Sequence, residues 1–302
     1  MSERIEIVEV GPRDGLQNEK TVLSVDDRVA FVRRLEAAGV RRVETVSFVN
    51  PRRVPQMADS AAVCAALPHE DGKLRIGLVL NQRGWTDAVT NGVDEANVVV
   101  CASDGFGIRN QGASVAEQMA VAQSIAEQAG SEGPPVSATV SVAFGDPFDG
   151  EVPRERVVSL VRDLAAAGYR EIALGDTIGV ADPWSTRRMV EAVRAAAPEV
   201  RFRLHFHDTR RAALANAYAG IEAGVRVLDA SCGGIGGCPF APNATGNLAT
   251  EDLVFALDRA GIETGLDLDA LIETAFWIGE KLGKPPPSAL TRAGGFPVGG
   301  SA

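Results

Sequence analysis

Cysteine and histidine are scarce in this sequence, and it contains no long apolar run. Its 302 residues include four cysteines, which are spread along the chain without a CxxC pair. That spacing argues against a disulfide-rich secreted scaffold and favours reduced thiols. No apolar stretch is long enough to cross a bilayer, and the N-terminus lacks a basic region followed by an apolar one. We therefore expect a cytoplasmic protein that has no membrane partner.

Positive charge is in deficit as well. The formal net charge of −10 argues against general binding of nucleic acid or of an anionic membrane, since both need basic faces. Two common phosphate-binding motifs are missing, because no GxGxxG follows the first strand pattern and no GK[ST] ends a glycine-rich loop. A small anionic ligand held by a few local Lys and Arg side chains remains compatible with this charge.

Eight apolar, β-branched runs alternate with helical patterns along the chain. Eight such units in about this length predict an α/β fold, a parallel (β/α)8 TIM barrel, with a doubly wound sheet as the alternative. The predicted strands are Ile5–Val10, Arg42–Phe48, Leu74–Leu80, Ala96–Ala102, Val136–Phe144, Glu171–Asp176, Arg201–His207 and Arg226–Ser231. Helical periodicity is clearest over Asp26–Ala38, Val115–Ala129, Pro153–Ala167 and Pro183–Ala197.

The C-terminal part of the chain has a different pattern. Leu248–Ala260 and Leu268–Leu282 predict helices added to the barrel, and a Pro/Gly-rich segment follows them. We expect a single barrel domain over residues 1–284 and a flexible tail over residues 285–302. Active sites of such barrels lie at the carboxyl ends of the strands, so polar residues at those positions are the candidates for chemistry.

Two of the three histidines lie in one strand pattern, "RLHFHDT". Alternate strand residues face the same side, so His205 and His207 point together and are candidate metal ligands; a hydrogen-bonded pair is the alternative. Asp14, after the first strand pattern, and Asn247, in "GNLATED", could add oxygen ligands. Their alternative roles are a turn cap and a helix N-cap. Two imidazoles with carboxylate and amide oxygens suit Mg²⁺ or Mn²⁺.

Other side chains are candidates for acid–base chemistry or for charge stabilisation. Arg13 precedes Asp14 in a turn, where the two form either a solvated pair or part of a site. Glu44 and Asp176 interrupt apolar strand patterns, so each is expected to be paired when buried, for example with Arg13. The run "CGGIGGCPFAPNATGN" predicts a mobile glycine-rich flap after strand eight, with Cys238 at its tip. Cys238 is a candidate proton donor or nucleophile, and the alternative is a small apolar side chain.

Several blocks of the sequence resemble, in order, those of the 3-hydroxy-3-methylglutaryl-CoA lyase family. They are "VEVGPRDGLQNE", "SFVNPRRVPQMAD", "LGDTIGV", "HFHDT" and "GGIGGCPFAPNATGNLATEDLV". The resemblance runs from about Ile5 to Leu282, and the last block is the most specific. It implies a metal-dependent carbon–carbon lyase that cleaves 3-hydroxy-3-methylglutaryl-CoA, or a related 3-hydroxy-3-alkylglutaryl-CoA. The products would be acetyl-CoA and a 3-oxo acid, which is acetoacetate for the methyl substrate.

The resemblance also implies the roles of the residues that react or bind metal. The ligands of Mg²⁺ or Mn²⁺ would be Asp14, His205, His207 and Asn247. Asp14 or His205 would relay the proton of the substrate hydroxyl. Arg13 would stabilise charge on the thioester oxygen, and Cys238 would be the acid/base of the flap.

Supporting roles are implied in the same way. Glu44 and Asp176 would support the site or its acid–base chemistry, and Glu251 would order the end of the flap. Lys20 and Asn110 would contact the CoA moiety of the thioester substrate. The resemblance further implies a homodimer.

One block departs from the family pattern. Strand five reads "SATVSVAFGDPFDG", where the family leads us to expect a tyrosine near Thr139 and a cysteine near Asp146. The smaller threonine predicts that a bulkier 3-alkyl group is accepted. Two other functions are weighed against the lyase. A Claisen-type condensing enzyme would lack this cysteine flap, and a non-catalytic barrel that senses acyl-CoA or metal would not need a complete set of ligands and proton donor.

Overall fold

Eight parallel strands close into a barrel in the computed structural model, which describes residues 4–237 and 246–297. The strands are β1 (Glu6–Glu9), β2 (Arg42–Ser47), β3 (Leu74–Val79), β4 (Glu95–Cys101), β5 (Val136–Ser141), β6 (Glu171–Asp176), β7 (Arg201–Phe206) and β8 (Val227–Ala230). Each pairs with its neighbour in the sequence, and β1 also pairs with β8. That last pairing confirms the predicted TIM barrel and excludes the doubly wound sheet, whose edges stay open.

Helices connect the strands and cover the outside of the barrel. They are α1 (Val25–Ala37), α2 (Ser60–Ala66), α3 (Gln82–Thr90), α4 (Asp104–Gln111), α5 (Val115–Glu132), α6 (Arg154–Ala167), α7 (Pro183–Ala196), α8 (Ala213–Glu222), α9 (Thr250–Arg259), α10 (Leu268–Leu282) and α11 (Leu290–Ala293). The predicted C-terminal helices correspond to α9 and α10. None of the described helices is both long and apolar enough to span a bilayer.

The connection between β4 and β5 holds two helices, where the sequence pattern indicated one. Ser114 is the N-cap of the long α5, and its hydroxyl accepts from the Glu117 N–H while the Glu117 carboxylate accepts from the Ser114 N–H. This capping box starts a new helix after the short α4, which ends in a left-handed Gly112. The extra helix α4 therefore lies on the rim beside the carboxyl end of β4.

The first part of the predicted tail packs against the barrel. The Asp252 carboxylate accepts the N–H groups of Ala289 and Leu290 at 2.8 and 2.9 Å. Ser288 and Leu290 are 2% and 6% exposed. In this stretch an acidic side chain therefore caps α11 and an apolar one is buried beneath it, and the flexible tail over residues 285–302 stays a prediction.

Charged side chains fill the amino-terminal end of the barrel interior. Arg42 Nη2 lies 2.8 Å from Glu95 Oε2 and 2.8 Å from Glu171 Oε1. Arg203, only 1% exposed, lies 3.7 Å from Glu171 and 3.3 Å from Asp229. Buried charges need such partners. This ion-paired layer closes one end of the interior, so ligand chemistry belongs at the other end.

Candidate active site

The turn after β1 places two charged side chains at the carboxyl end of the barrel. Residues Gly11–Gly15 form one π-helical turn with Pro12 in its first positions. The N–H groups of Arg13 and Gly15 both donate to the Val10 carbonyl at 3.1 Å. Because the backbone is held in this tight turn, Arg13 and Asp14 have fixed positions beside the ends of β1 and β2.

Arg13 is buried and makes two ion pairs. Its Nε and Nη2 lie 2.6 and 2.5 Å from Glu44 Oε2, and its Nη1 lies 2.8 Å from Asp14 Oδ1. Burial would lower the pKa of the guanidinium, but the charges of Glu44 and Asp14 raise it above its ordinary value. Arg13 is therefore a permanent, oriented positive charge, and the suggested ion pair between Glu44 and Arg13 is present.

Asp14 lies against both histidines of β7 and its extension. Its Oδ2 is 3.9 Å from His205 Nε2 and 3.7 Å from His207 Nε2, and the candidate ligand atoms of the three residues lie within 4.8 Å of one another. Asn247 Nδ2 donates to the same Asp14 Oδ2 at 2.8 Å, and the backbones of His207 and Asn247 form a bridge. The structure thus brings together all four predicted ligands. Asn247 is not a helix N-cap, since α9 begins after Ala249.

The donor set fits a divalent cation. Asn247 Oδ1 and His207 Nδ1 are buried and have no hydrogen-bond partner among residues 4–237 and 246–297, which is costly unless another group uses them. Burial would raise the pKa of the Asp14 carboxyl, but Arg13 and the imidazoles hold it well below its usual range. Burial lowers the pKa of His207 to about 4. Asp14 and His207 are therefore unprotonated at neutral pH, as ligands must be, and O/N donors of this kind suit Mg²⁺ or Mn²⁺.

Asp229 on β8 is a site residue that sequence reasoning missed. Its Oδ2 lies 3.2 Å from His205 Nδ1. Burial lowers the pKa of His205, but the bond to Asp229 and the charge of Asp14 raise it above the ordinary value. A carboxylate at Nδ1 fixes the ring and leaves Nε2 facing Asp14. Asp229 interrupts the apolar strand pattern "RVLDAS", just as Glu44 interrupts the pattern of β2. An acidic residue within an apolar strand pattern is the signal that could have identified Asp229.

Asp176 supports the rim in a different way from the ion pair that the sequence suggested. It is 1% exposed, and its two carboxylate oxygens accept the N–H groups of Val180 and Ala181 at 2.9 and 3.0 Å. Burial raises its pKa, and these two hydrogen bonds oppose the increase. Among the described contacts, Asp176 therefore holds the loop between β6 and α7.

Two buried glutamates hold the base of the predicted flap. Glu9 accepts from the N–H groups of Gly11 and Cys232 at 2.8 and 2.9 Å and from the Thr250 hydroxyl at 2.6 Å. Glu251 accepts from the Gly233 N–H at 3.0 Å. Burial raises the pKa of Glu9 to about 8 and that of Glu251 to about 7. Glu251 thus fixes the start of the glycine-rich run, and Glu9 joins it to the turn that carries Arg13.

The glycine-rich run lies close to the candidate site at Gly236. Gly236 has φ +102°, and a Cβ there would lie 2.7 Å from Asn247 Nδ2 and 2.8 Å from the Gly15 Cα. Glycine is required at this position because any side chain would collide with the candidate ligand Asn247 and with the turn after β1. The predicted flap tip, Cys238, and the residues up to 245 lie outside the described residues.

Comparisons with known proteins agree with this geometry. The family model described as HMGL-like matches residues 4–278. The chain belongs to the HMGL-like family.

Two curated relatives and a solved structure illustrate the range of this family. A Pseudomonas aeruginosa 3-hydroxy-3-isohexenylglutaryl-CoA/hydroxy-methylglutaryl-CoA lyase is 41% identical over 97% of this chain and 98% of its own length. A Chloroflexus aurantiacus (R)-citramalyl-CoA lyase is 41% identical over 97% of this chain and 95% of its own. The structure of an HMG-CoA lyase from Acinetobacter baumannii, in complex with coenzyme A and 3-methylmalate, has a TM-score of 0.93 and 37% identity and covers 98% of both chains.

The remaining candidates lie on the rim of this HMGL-like barrel. Lys20 follows the turn after β1 and Asn110 lies near the end of α4, and both are exposed. Neither touches the ligand cluster directly in the described contacts. Both lie at the carboxyl end of the barrel, and their contact with CoA stays a prediction.

Asp146, which departs from the family pattern, ties α4 to the loop after β5. Its Oδ2 accepts from the Phe106 N–H at 3.1 Å and from the Ser103 hydroxyl. Its Oδ1 accepts from the Phe148 N–H at 2.6 Å. A carboxylate at the start of α4 interacts favourably with the helix dipole. Asp146 therefore orients the helix that carries Asn110.

Proposed function

We propose that this HMGL-like protein is a divalent-metal-dependent lyase that cleaves 3-hydroxy-3-methylglutaryl-CoA, or a related 3-hydroxy-3-alkylglutaryl-CoA. The products are acetyl-CoA and acetoacetate, or another 3-oxo acid. The observation that carries the proposal is the juxtaposition of an oriented Arg13 with the cluster of Asp14, His205, His207 and Asn247. The names of two of the relatives above, which are HMG-CoA lyases, point the same way.

The proposed reaction divides among the residues of the site. Cleavage between C2 and C3 needs removal of the tertiary hydroxyl proton while an enolate of acetyl-CoA leaves. Asp14 or His205 accepts that proton. Arg13 donates to the thioester oxygen, where the negative charge of the enolate develops. When bound by Asp14, His205, His207 and Asn247, a divalent cation supplies the Lewis acidity that lowers the pKa of the hydroxyl.

Three further elements belong to the same proposal. Cys238 returns a proton to the acetyl-CoA enolate from the flap, which excludes water while the carbanion exists. Lys20 and Asn110 contact the CoA moiety. The protein is also proposed to be a cytoplasmic homodimer.

A second candidate substrate is suggested by the (R)-citramalyl-CoA lyase, whose identity to this chain equals that of the isohexenylglutaryl-CoA relative. Citramalyl-CoA undergoes the same bond cleavage but carries its carboxylate directly on the carbinol carbon. Its products are acetyl-CoA and pyruvate, a 2-oxo acid. The same reacting groups would serve for both substrates. Which of the two is preferred therefore depends on the residues that line the rest of the pocket.

Purified protein should cleave 3-hydroxy-3-methylglutaryl-CoA when Mg²⁺ or Mn²⁺ is present. Removal of the cation by a chelator should lower the rate by at least about 10³-fold, because the site then lacks its Lewis acid. Release of acetyl-CoA measures the rate, and replenished metal should restore it. The proposal is refuted if metal-loaded protein cleaves neither 3-hydroxy-3-methylglutaryl-CoA nor 3-hydroxy-3-isohexenylglutaryl-CoA. Cleavage of citramalyl-CoA alone would support the second candidate instead.

The size of the residue at position 139 should influence which of these thioesters is preferred. Thr139 leaves more room than the tyrosine expected there, so we predict that kcat/KM for a longer 3-alkyl substrate lies within about tenfold of the methyl value. Thr139→Tyr is the matched control, and it should selectively reduce cleavage of the longer substrate. A strong preference of the unaltered protein for the methyl substrate would contradict the prediction.

A further inference from the structure

A chain of hydrogen bonds crosses the barrel interior from β5 to the turn after β1. The Thr139 hydroxyl donates to Asn97 Oδ1 at 3.0 Å, and Asn97 Nδ2 donates to Glu44 Oε1 at 3.1 Å. The other oxygen of Glu44 receives the two Arg13 contacts described above. Asn97 is 3% exposed and Glu44 is 2% exposed, so water does not readily replace these bonds.

Asn97 fixes the orientation of the Glu44 carboxylate. A buried carboxylate oxygen without a donor is costly, so Oε1 needs the amide of Asn97. Without that amide, the carboxylate can rotate to present both oxygens to the Arg13 guanidinium, which favours a bidentate pair. Rotation of this kind would draw Arg13 away from Asp14. The orientation of the guanidinium thus depends on a residue three strands away from it.

Thr139 fixes the amide of Asn97. Because the hydroxyl donates to Oδ1, the amide presents Nδ2 to the carboxylate of Glu44. A reversed amide would place Oδ1 against a carboxylate oxygen, and the two acceptors would repel each other. The threonine that departs from the family pattern therefore has a polar partner within the barrel.

The arrangement leaves a defined pair of donors on Arg13. An arginine has five N–H donors. Glu44 Oε2 accepts from Nε and also lies against Nη2 in the ion pair, and Asp14 Oδ1 accepts from Nη1. Nη1 and Nη2 keep hydrogens that have no acceptor among the described residues, and these can donate to a single developing oxyanion.

We propose that Asn97 is a positioning residue that acts through Glu44 to aim the free donors of Arg13 at the thioester oxygen, with Thr139 fixing its amide. The inference rests on the function proposed for Arg13. It assigns Asn97 no contact with substrate. It adds a positioning residue on β4 that the sequence motifs do not single out, and it gives Thr139 on β5 a second role beside the one predicted for it in the pocket.

Asn97→Leu and Thr139→Val test the inference, because each removes the polar group with little change in size. Asn97→Leu should lower kcat about 10- to 100-fold, since a hydrogen bond to a charged group is lost, and should change KM less than about threefold. Thr139→Val should lower kcat about 3- to 10-fold, since the amide keeps its bond to Glu44. Ser137→Ala is the matched control on β5, because Ser137 donates to Glu95 in the ion-paired layer. Its kcat should stay within about twofold of the parent value.

Asn97→Leu combined with Arg13→Lys distinguishes a positioning role of Asn97 from a general structural effect. If Asn97 acts through the guanidinium, Asn97→Leu should cost less than about threefold in kcat once the guanidinium is gone. An equal loss in both backgrounds overturns the inference, as does an unchanged kcat in a folded Asn97→Leu protein. Thermal unfolding identifies a variant that has not folded, and Thr139→Val then provides the test.

A crystal structure of Asn97→Leu gives a readout that does not depend on turnover. The Arg13 guanidinium should be rotated away from its contact with Asp14, and a guanidinium in its parental position overturns the inference. If the unaltered protein cleaves none of the thioesters, the proposed function fails by itself. The structure of the variant then decides whether Asn97 orients Arg13.

Discussion

Asp14→Asn should eliminate most of the lyase activity together with divalent-cation binding. The substitution removes the one negative charge among the four proposed ligands and one of the two ion pairs of Arg13. Removing a group that hydrogen-bonds to a metal ligand usually lowers metal affinity about 10- to 100-fold. Removing the charge of a ligand itself should therefore lower it more than about 100-fold. We expect kcat to fall by about 10³-fold or more. Calorimetric titration with Mn²⁺ and release of acetyl-CoA measure the two effects.

Asp182→Asn is the matched control for this experiment. Asp182 lies on the same rim and caps α7 by accepting the N–H groups of Trp184 and Ser185. Asparagine is an equally good cap, so the fold should be retained. Mn²⁺ affinity and turnover of this variant should stay near those of the parent. Parental Mn²⁺ affinity in Asp14→Asn would show that the cluster is not the cation site.

Arg13→Lys should reduce turnover strongly and leave cation binding almost unchanged. Lysine retains a positive charge beside the buried Glu44 carboxylate, so it avoids the penalty of about 3–5 kcal/mol for breaking a buried pair. It cannot contact Glu44, Asp14 and a substrate oxygen with one planar fork. We expect kcat to fall about 10²- to 10³-fold, the usual effect of losing an oxyanion donor. Steady-state kinetics and Mn²⁺ titration check the two halves of this expectation.

Arg170→Lys provides the comparison at the opposite end of the barrel. Arg170 precedes β6, and its Nη1 donates to the carbonyls of Ala165 and Tyr169. Its substitution should leave kcat within about twofold of the parent. If Arg13→Lys weakened cation binding as severely as Asp14→Asn, the two neighbouring residues would not have separate tasks.

Much of the fold and the ligand cluster could be predicted because local patterns carried the information. The β-branched runs identified all eight strands, and the alternation of strand side chains placed His205 and His207 on one side. The family motifs then placed Asp14 and Asn247 with them. Arg13 was a candidate from its position alone, since charged residues after a barrel strand face the rim.

The residues that orient the site could not be predicted in the same way. Whether Asn97 reaches Glu44, and whether Asp229 reaches His205, depends on the register and curvature of the neighbouring strands. No sequence pattern shows which residues lie across a barrel interior from one another. Asp176 illustrates the same limit, because its burial was predictable but its backbone partners were not.

The proposed cation site spans the line along which the barrel closes. Asp14 and Asn247 are 233 positions apart, and they meet because β1 pairs with β8. A chain that has not yet added its last strand has no complete ligand set, and contacts between such distant residues form late in folding. A cation that binds only the closed barrel stabilises that state by mass action. Cation affinity is therefore also a measure of whether the first and last strands have joined.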